Sequence, residues 1–500
     1  LLFPSLIFAQ SSYPLGLILD DEEYSELPYT SENIQISSGQ KAIPIEVDLT
    51  PFCPEVRHQG EISSCVGWSA GYAAMTIERA IRQKWTDKDL ITKNANSALF
   101  IYNLLSDDDC GAIRMPTALR TMQEKGNCLA REFDFDVNEC GKEASPGVLQ
   151  SASNFRLDEF IRLFDPRDSA TIKIKNVKMV LAQHKPVVIG MKILNNFYTI
   201  EAGDRSWFPN IGDQTFAGGH AMVVVGYDDQ KFNPGRSDLA DEMKGAFKIM
   251  NSWGKNWGEK GFIWVRYAHF AEYCRHAYAL MLQGGAPIDF NTDMTPESPD
   301  AQERDLRSLS GTFGFKLYTG QWFNDQPLFR DQDVMLKDNY YVLPERKIGD
   351  QFQLDVTSEF ANGFIYVFSV DPQGKVEVHF PKSASYNEKF NSQNESALLI
   401  GTGSTLTIPS QESALTLTQE GEDHLIVLFS ESRIKPKYID FLGEQLVKAR
   451  GDINDDLPRL LRKHMVPFSD ITYYKDKMGF EVKTRSGGKI VPLILRVSTE

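Results

Sequence analysis

Residues 251–261 read Asn251-Ser252-Trp253-Gly254-Lys255-Asn256-Trp257-Gly258-Glu259-Lys260-Gly261. They follow Ala246-Phe247-Lys248-Ile249-Met250, an apolar run of strand length. An amide side chain, Asn251, therefore stands at a strand end. Upstream, Gly219-His220 leads into Ala221-Met222-Val223-Val224-Val225-Gly226-Tyr227, which reads as a second buried strand. The segment between them, 228–245, is polar and carries the turn signal Asn233-Pro234-Gly235. Antiparallel pairing would set the start of one strand beside the end of the other. His220 and Asn251 are then expected at one end of one sheet. The Asn251 side-chain oxygen would accept from one imidazole nitrogen and aim the other.

The residue to be aimed at lies far upstream, in Gln59-Gly60-Glu61-Ile62-Ser63-Ser64-Cys65-Val66-Gly67-Trp68-Ser69-Ala70. Cys65 opens an apolar run to Ile81 in which Trp68, Tyr72, Met75 and Arg79 recur at helical steps. Ser63 or Ser64 is the expected N-cap. A cysteine at the positive end of a helix is biased toward thiolate. Alone, such a cysteine reads as buried and structural. With His220 as base, Asn251 as orienter and Gln59 as amide donor, it becomes the nucleophile of an acyl-transfer device.

These stretches together resemble a papain-like cysteine peptidase. Gln-Gly-x-x-x-x-Cys at Gln59 to Cys65, the His220-Ala221 strand head, and Asn-Ser-Trp-Gly-x-x-Trp-Gly-x-x-Gly from Asn251 carry the likeness. The resemblance implies an α+β fold, with a helical lobe and a β-barrel-like lobe flanking a cleft. It implies Cys65 as nucleophile and His220 as general base, then acid, largely as a thiolate–imidazolium pair. Asn251 would orient His220, and Gln59 with the Cys65 N–H would form the oxyanion hole. Trp253 would cover the Asn251–His220 contact. Trp257, Gly219 and Gly111 would touch substrate, with Trp257 on the leaving-group side. No metal or other cofactor is implied.

Some features depart from the pattern. Ile62 and Val66 replace the cysteine and the aromatic that usually flank the nucleophile. Trp68 is the candidate to compensate. His220 and Asn251 lie farther downstream than usual, and 228–245 would project as a loop near the cleft. No glycine pair walls the cleft, and Cys110-Gly111 is the nearest candidate. Regulation by the family's usual helical pro-segment is not expected, although a short loop-like arm at 11–44 could lie in the cleft. A catalytically weak or inactive scaffold, working through its C-terminal domain, is the competing reading. Transferase or amidase use of the same residues is a third.

A 500-residue chain is long enough for two or three domains. The net charge of −15 argues against nucleic-acid or anionic-membrane partners, and the resemblance implies a protein or peptide substrate. The run Asp107-Asp108-Asp109 reads as a solvated loop, since the spacing of a calcium loop is missing. Residues 1–10 resemble the tail of a signal peptide, so export to the periplasm, cell surface or medium is expected. No later apolar run reaches the length of a membrane span. Besides Cys65, the cysteines are Cys53, Cys110, Cys128, Cys140 and Cys274. Cys110 with Cys128 or Cys140 is the expected disulfide.

The expected organisation is a peptidase domain at 45–283, a Gly/Pro-rich linker at 284–310 and a β-rich domain at 311–500. Apolar runs at 351–356, 363–368, 376–380, 404–408 and 425–429, with the turn Asp371-Pro372-Gln373-Gly374, suggest a β-sandwich. Helices are expected near 438–464. His379 and His424 read as polar strand residues. This part resembles a domain of unknown function appended to exported bacterial enzymes. A cell-envelope or glycan partner is the expectation for it.

Overall fold

The computed structural model describes residues 13–29, 34–36, 43–106, 109–133, 135–232, 244–282, 306–323, 326–360, 363–382, 395–399, 401, 403–434, 436–449 and 451–500. The expectations for 1–10, for Asn233-Pro234-Gly235, for Asp107 and Asp108, and for most of the 284–310 linker fall outside these residues. The chain divides into two compact units, Leu1–Leu27 with Ile43–Leu282, and Pro28–Ala42 with Gln283–Glu500. The arm expected at 11–44 is thus split at Leu27-Pro28.

In the first unit the helical lobe comes first. The helix that opens at Cys65 is wound as wider π-helical turns over Gly67–Ala74, then as an α-helix over Met75–Arg82. Ser64 accepts the first helical bond through its carbonyl, 3.2 Å from the Trp68 N–H. Its hydroxyl turns instead to the Gln59 carbonyl at 3.4 Å, so the side-chain cap expected at Ser63 or Ser64 is replaced by a link to the Gln59 loop. Ala98–Asn103, capped by Ser97, and Met115–Glu124 complete the helices around it. Cys110 is bonded to Cys140, and Cys128 is a free, buried thiol.

The second lobe is a seven-stranded sheet in the order 157–162, 274–282, 187–194, 216–228, 246–250, 262–266. Glu46–Asp48 adds to the 216–228 strand. Neighbours along this order are antiparallel. Runs such as Val187–Leu194 are buried almost throughout because helices and loops cover both faces. The 216–228 and 246–250 strands pair through Val223–Met250 to Asp228–Ala246. That register sets His220 and Asn251 at the same sheet end.

Among the described residues the second unit holds two mainly antiparallel sheets, of eight and seven strands. The strands expected at 376–380 and 404–408 appear with those bounds, as Val376–Phe380 and Ser404–Ile408. The helix pair is Pro436–Ala449 and Ile453–Leu461. Two long strands went unread in the sequence: Arg307–Phe323, which begins inside the expected linker, and Ile490–Thr499. His379 and His424 lie on strands, with His379 Nε2 2.8 Å from Ser369 Oγ.

The sheets meet where Phe429 packs edge-on against Phe480 at 5.0 Å. Phe429 also rests on Gly311, where an added Cβ would lie 2.5 Å from its ring. Overpacking of this kind costs roughly 1–3 kcal/mol. Gly311→Ala is therefore expected to destabilise this unit by about that amount in chemical denaturation. An unchanged midpoint would show that the sheets give way freely there.

Candidate active site

Cys65, His220, Asn251 and Gln59 converge, and all four are almost wholly buried. His220 Nε2 lies 2.8 Å from Asn251 Oδ1. The same oxygen accepts the Ser252 N–H at 2.8 Å, which fixes the amide's orientation. His220 Nδ1 is buried with no hydrogen-bond partner among the described residues. Cys65 Sγ instead takes the Ala221 N–H at 3.4 Å. Trp253 covers the pair, its ring centroid 4.9 Å from that of His220.

The loop carrying Gln59 is tied to the Asn251 segment. The Gln59 N–H donates to the Ser252 carbonyl at 2.8 Å, and Ser252 Oγ donates to Gln59 Oε1 at 2.7 Å. This aims Nε2 at the Ile62 carbonyl (3.1 Å) and into the cleft.

The cleft itself is filled by the chain's own residues 13–19. Tyr13 stacks on Trp253 at 4.5 Å with the rings 11° apart. The Pro14 carbonyl accepts from Gln59 Nε2 at 3.2 Å. The Gly16 N–H points at Cys65 Sγ. Only glycine fits at position 16, since a Cβ would lie 2.0 Å from the Ser63 carbonyl oxygen. Leu17-Ile18 then pairs parallel with Ile113-Arg114. Gly219 meets the Leu17 carbonyl, and Gly190 meets the Leu17 side chain.

Covering the cleft sets the electrostatics. Burial pushes the Cys65 thiol up to about 12, against a smaller lowering by the Ala221 and Gly16 amides. Burial likewise brings His220 down to about 4, against the opposing bond from Asn251. Charged forms lose their hydration on burial. The covered pair is therefore neutral thiol and neutral imidazole, whereas the sequence led us to expect a thiolate–imidazolium pair.

Three expected contacts are placed differently. Trp257 is fully buried, packed edge-on behind Trp253 at 5.6 Å and against Phe197, so only Trp253 presents a ring toward the cleft. The arm pairs with Ile113-Arg114, two residues beyond Gly111, whose carbonyl is held by the Tyr102 hydroxyl at 3.0 Å. Trp68 sits behind the site, lining a cavity of about 10 Å³ with Ala221, Asn251 and Ser252. Sequence reasoning missed Tyr13, Pro14 and Gly16, which no periodicity marks.

Residues 43–281 match the model of the papain family of cysteine proteases, and 345–433 match a domain of unknown function, DUF4384. The first of these segments is a papain-family cysteine protease domain. An uncharacterised peptidase C1-like protein of Acanthamoeba polyphaga mimivirus is 24% identical over 263 residues, covering 51% of this chain and 78% of that protein. Among solved structures, xylellain, a cysteine protease from Xylella fastidiosa, is 27% identical, with a TM-score of 0.42. It is matched over 54% of this chain and 96% of its own. The bromelain protease from Ananas comosus, solved with the E64 inhibitor, is 18% identical, with a TM-score of 0.37. It is matched over 48% of this chain and 100% of its own.

Proposed function

We propose that the chain is a latent cysteine endopeptidase whose N-terminal arm occupies its own substrate cleft. The observation that carries the catalytic half is the His220 Nε2–Asn251 Oδ1 bond at 2.8 Å, within one buried cluster that also holds Cys65 and Gln59. With the arm displaced, the Cys65 thiolate attacks a peptide carbonyl. Gln59 Nε2 and the Cys65 N–H receive the oxyanion, and His220 protonates the leaving amine. Water activated by His220 then hydrolyses the thioester.

The arm itself is a poor substrate. A productively bound peptide offers one carbonyl to both groups, its carbon to Sγ and its oxygen to Gln59. Here the oxygen on Gln59 belongs to Pro14, while Sγ meets the Gly16 N–H. The Cys110–Cys140 disulfide supports an oxidising compartment, in keeping with export.

The test is an epoxide that alkylates papain-type thiolates, with the adduct located by mass spectrometry. Labelling at Cys65, lost in His220→Ala, is the expected result. Absence of a Cys65 adduct both in the wild type and in a variant with a loosened arm would sink the peptidase reading. The C-terminal domain would then become the working part.

A further inference from the structure

The eight-stranded sheet of the second unit has two unlike faces. On Arg307–Phe323, Gly311, Phe313 and Phe315 turn inward, where Gly311 meets Phe429 of the other sheet. Leu354 and Val356 on Gln351–Ser358, and Leu406 on Ser404–Ile408, are buried with them. The intervening residues share the opposite face. There the register sets Thr312 beside Thr357 and Gly314 beside Asp355, with Thr405 and Thr407 beside the same two residues on their other side. This face floors a cavity of about 660 Å³, within the roughly 300–1,000 Å³ of small-molecule sites. Such sites are mostly apolar with a few polar groups. This one is lined mainly by threonine hydroxyls, glutamine amides, lysines and aspartates.

The polar groups are ordered in advance. Lys316 pairs with Asp355, whose Oδ1 accepts from Thr407 Oγ1 at 2.7 Å. The hydroxyls of Thr357 and Thr405 lie 2.7 Å apart. Gln353 Nε2 donates to the carbonyls of Ser410, Gln411 and Ser413, which ties down the loop that forms one wall. Burial works against the Lys316 ammonium, but its bond to Asp355 and the charges of Asp355 and Asp331 outweigh this and hold it above the ordinary lysine value. With Lys477 and Asp331, the lining carries two cations and two carboxylates, so its charge balances. Aromatic surface continues from the polar floor. Phe329 and Pro327 line the cavity from the strand Gln326–Asp331. Directly opposed residues of an antiparallel pair share a face. Tyr318, opposite Phe329, and Trp322, opposite Pro327, therefore stand on the cavity side. Trp322 is 63% exposed, a large ring held in water beside a polar hollow.

We infer that this cavity is a binding site for a neutral oligosaccharide, with Lys316 and Asp355 on its hydroxyls and Trp322 against the face of a sugar ring. A sugar hydroxyl donates and accepts at once, so two neighbouring hydroxyls match an ammonium beside a carboxylate. The C–H face of a pyranose is apolar and lies flat on an aromatic ring. The other ligand classes fit less well. Asp331 and Asp355 oppose a polyanion, and the balanced lining gives a polycation no net attraction. An extended peptide docks by adding to a strand edge, whereas this floor is the middle of a sheet, paired on both sides of Gln351–Ser358. The second unit then holds the chain on a polysaccharide, independently of the chemistry at Cys65.

The experiment uses the full chain as Cys65→Ser, so that polypeptide probes are not cleaved. Native electrophoresis through gels containing laminarin, mannan, galactan, xylan or soluble starch reads retardation, and chitin and cellulose are tested as beads. Binding to at least one of these is the expected result. Trp322→Ala removes only an exposed ring and should weaken that binding about tenfold or more. Gly314→Val separates binding from folding. An added Cβ meets ordinary contacts, Asp355 Cβ at 3.6 Å and Asp331 Oδ1 at 3.8 Å, and valine suits a strand better than glycine. It fills the floor, so binding should be lost while the melting temperature holds or rises. Met335→Ala, 66% exposed on the other sheet, should change nothing. Binding to none of the polysaccharides, or binding that either Trp322→Ala or Gly314→Val leaves unchanged, would overturn the assignment. Capture by casein or heparin beads alone, dependent on Trp322, would also overturn it and make this face a protein or polyanion surface.

Discussion

Leu17→Glu raises the rate at which the epoxide alkylates Cys65 by about 100-fold at neutral pH. Leu17 is 5% exposed, its side chain resting on Gly190 and its carbonyl on Gly219. Burying an unpaired carboxylate there costs several kcal/mol, so the arm's docked state loses what its undocked state does not. Release has two consequences for the thiol. It opens the path to Sγ, now filled by Gly16. It also readmits water to a pair that burial holds at about 12 for Cys65 and about 4 for His220. Both values move back toward each other, and the charged pair gains ground at pH 6 to 7. Thermal melting of the variant checks that the peptidase unit stays folded. An alkylation rate equal to that of the wild type, with the arm shown by exchange to be undocked, would mean that the arm does not guard the thiol.

The parts legible in the sequence were those with a period or a fixed local order. The 216–228 and 246–250 strands are apolar because they are sheet interior, and their register followed from antiparallel pairing across the 228–245 insertion. The helix from Cys65 showed its three- and four-residue steps even though part of it is wound as π-helix. The arm showed nothing comparable. Leu17-Ile18 is a two-residue strand whose partner, Ile113-Arg114, is distant in sequence, and Gly16 is explained only by the Ser63 carbonyl it must pass. The break at Leu27-Pro28 carries a proline, but nothing local says that Ile34–Ile36 will pair with Ser404–Leu406.

Trp253 and Trp257 each precede a glycine in the same motif, and only the resemblance gave them different roles. Stacking decides between them, since Tyr13 and Tyr198 lie parallel on Trp253 while Trp257 meets it edge-on from behind. The missed strand Arg307–Phe323 holds Gly311, Gly314 and Gly320, which depress strand propensity. It also begins where the composition reads as linker.

Gln59→Ala, made in the Leu17→Glu background so that arm release does not limit the rate, should lower kcat for a peptide substrate roughly 100- to 1000-fold. The argument is positional. Gln59 is wholly buried, its main chain tied to Ser252 and its Oε1 held by Ser252 Oγ at 2.7 Å. The amide cannot turn over without breaking that bond, so Nε2 stays aimed where the Pro14 carbonyl oxygen now sits, 3.2 Å away. A donor fixed before the reaction costs no reorganisation when charge develops on a substrate oxygen. Epoxide alkylation draws on the thiol and His220 but develops no carbonyl oxyanion. Its rate should therefore stay within a few-fold of the parent. Parallel losses in kcat and alkylation would assign Gln59 to holding the loop before Cys65, which its bond to the Ile62 carbonyl at 3.1 Å would explain. Gln59→Glu sharpens the distinction. It keeps an acceptor for Ser252 but turns an oxygen toward the developing charge, so an oxyanion role requires a loss in kcat at least as large as that of alanine. Loop holding through the Ser252 bond alone would leave Gln59→Glu closer to the parent than Gln59→Ala, whereas loop holding through the Ile62 carbonyl, which Glu cannot donate to, would lower the alkylation rate in both variants.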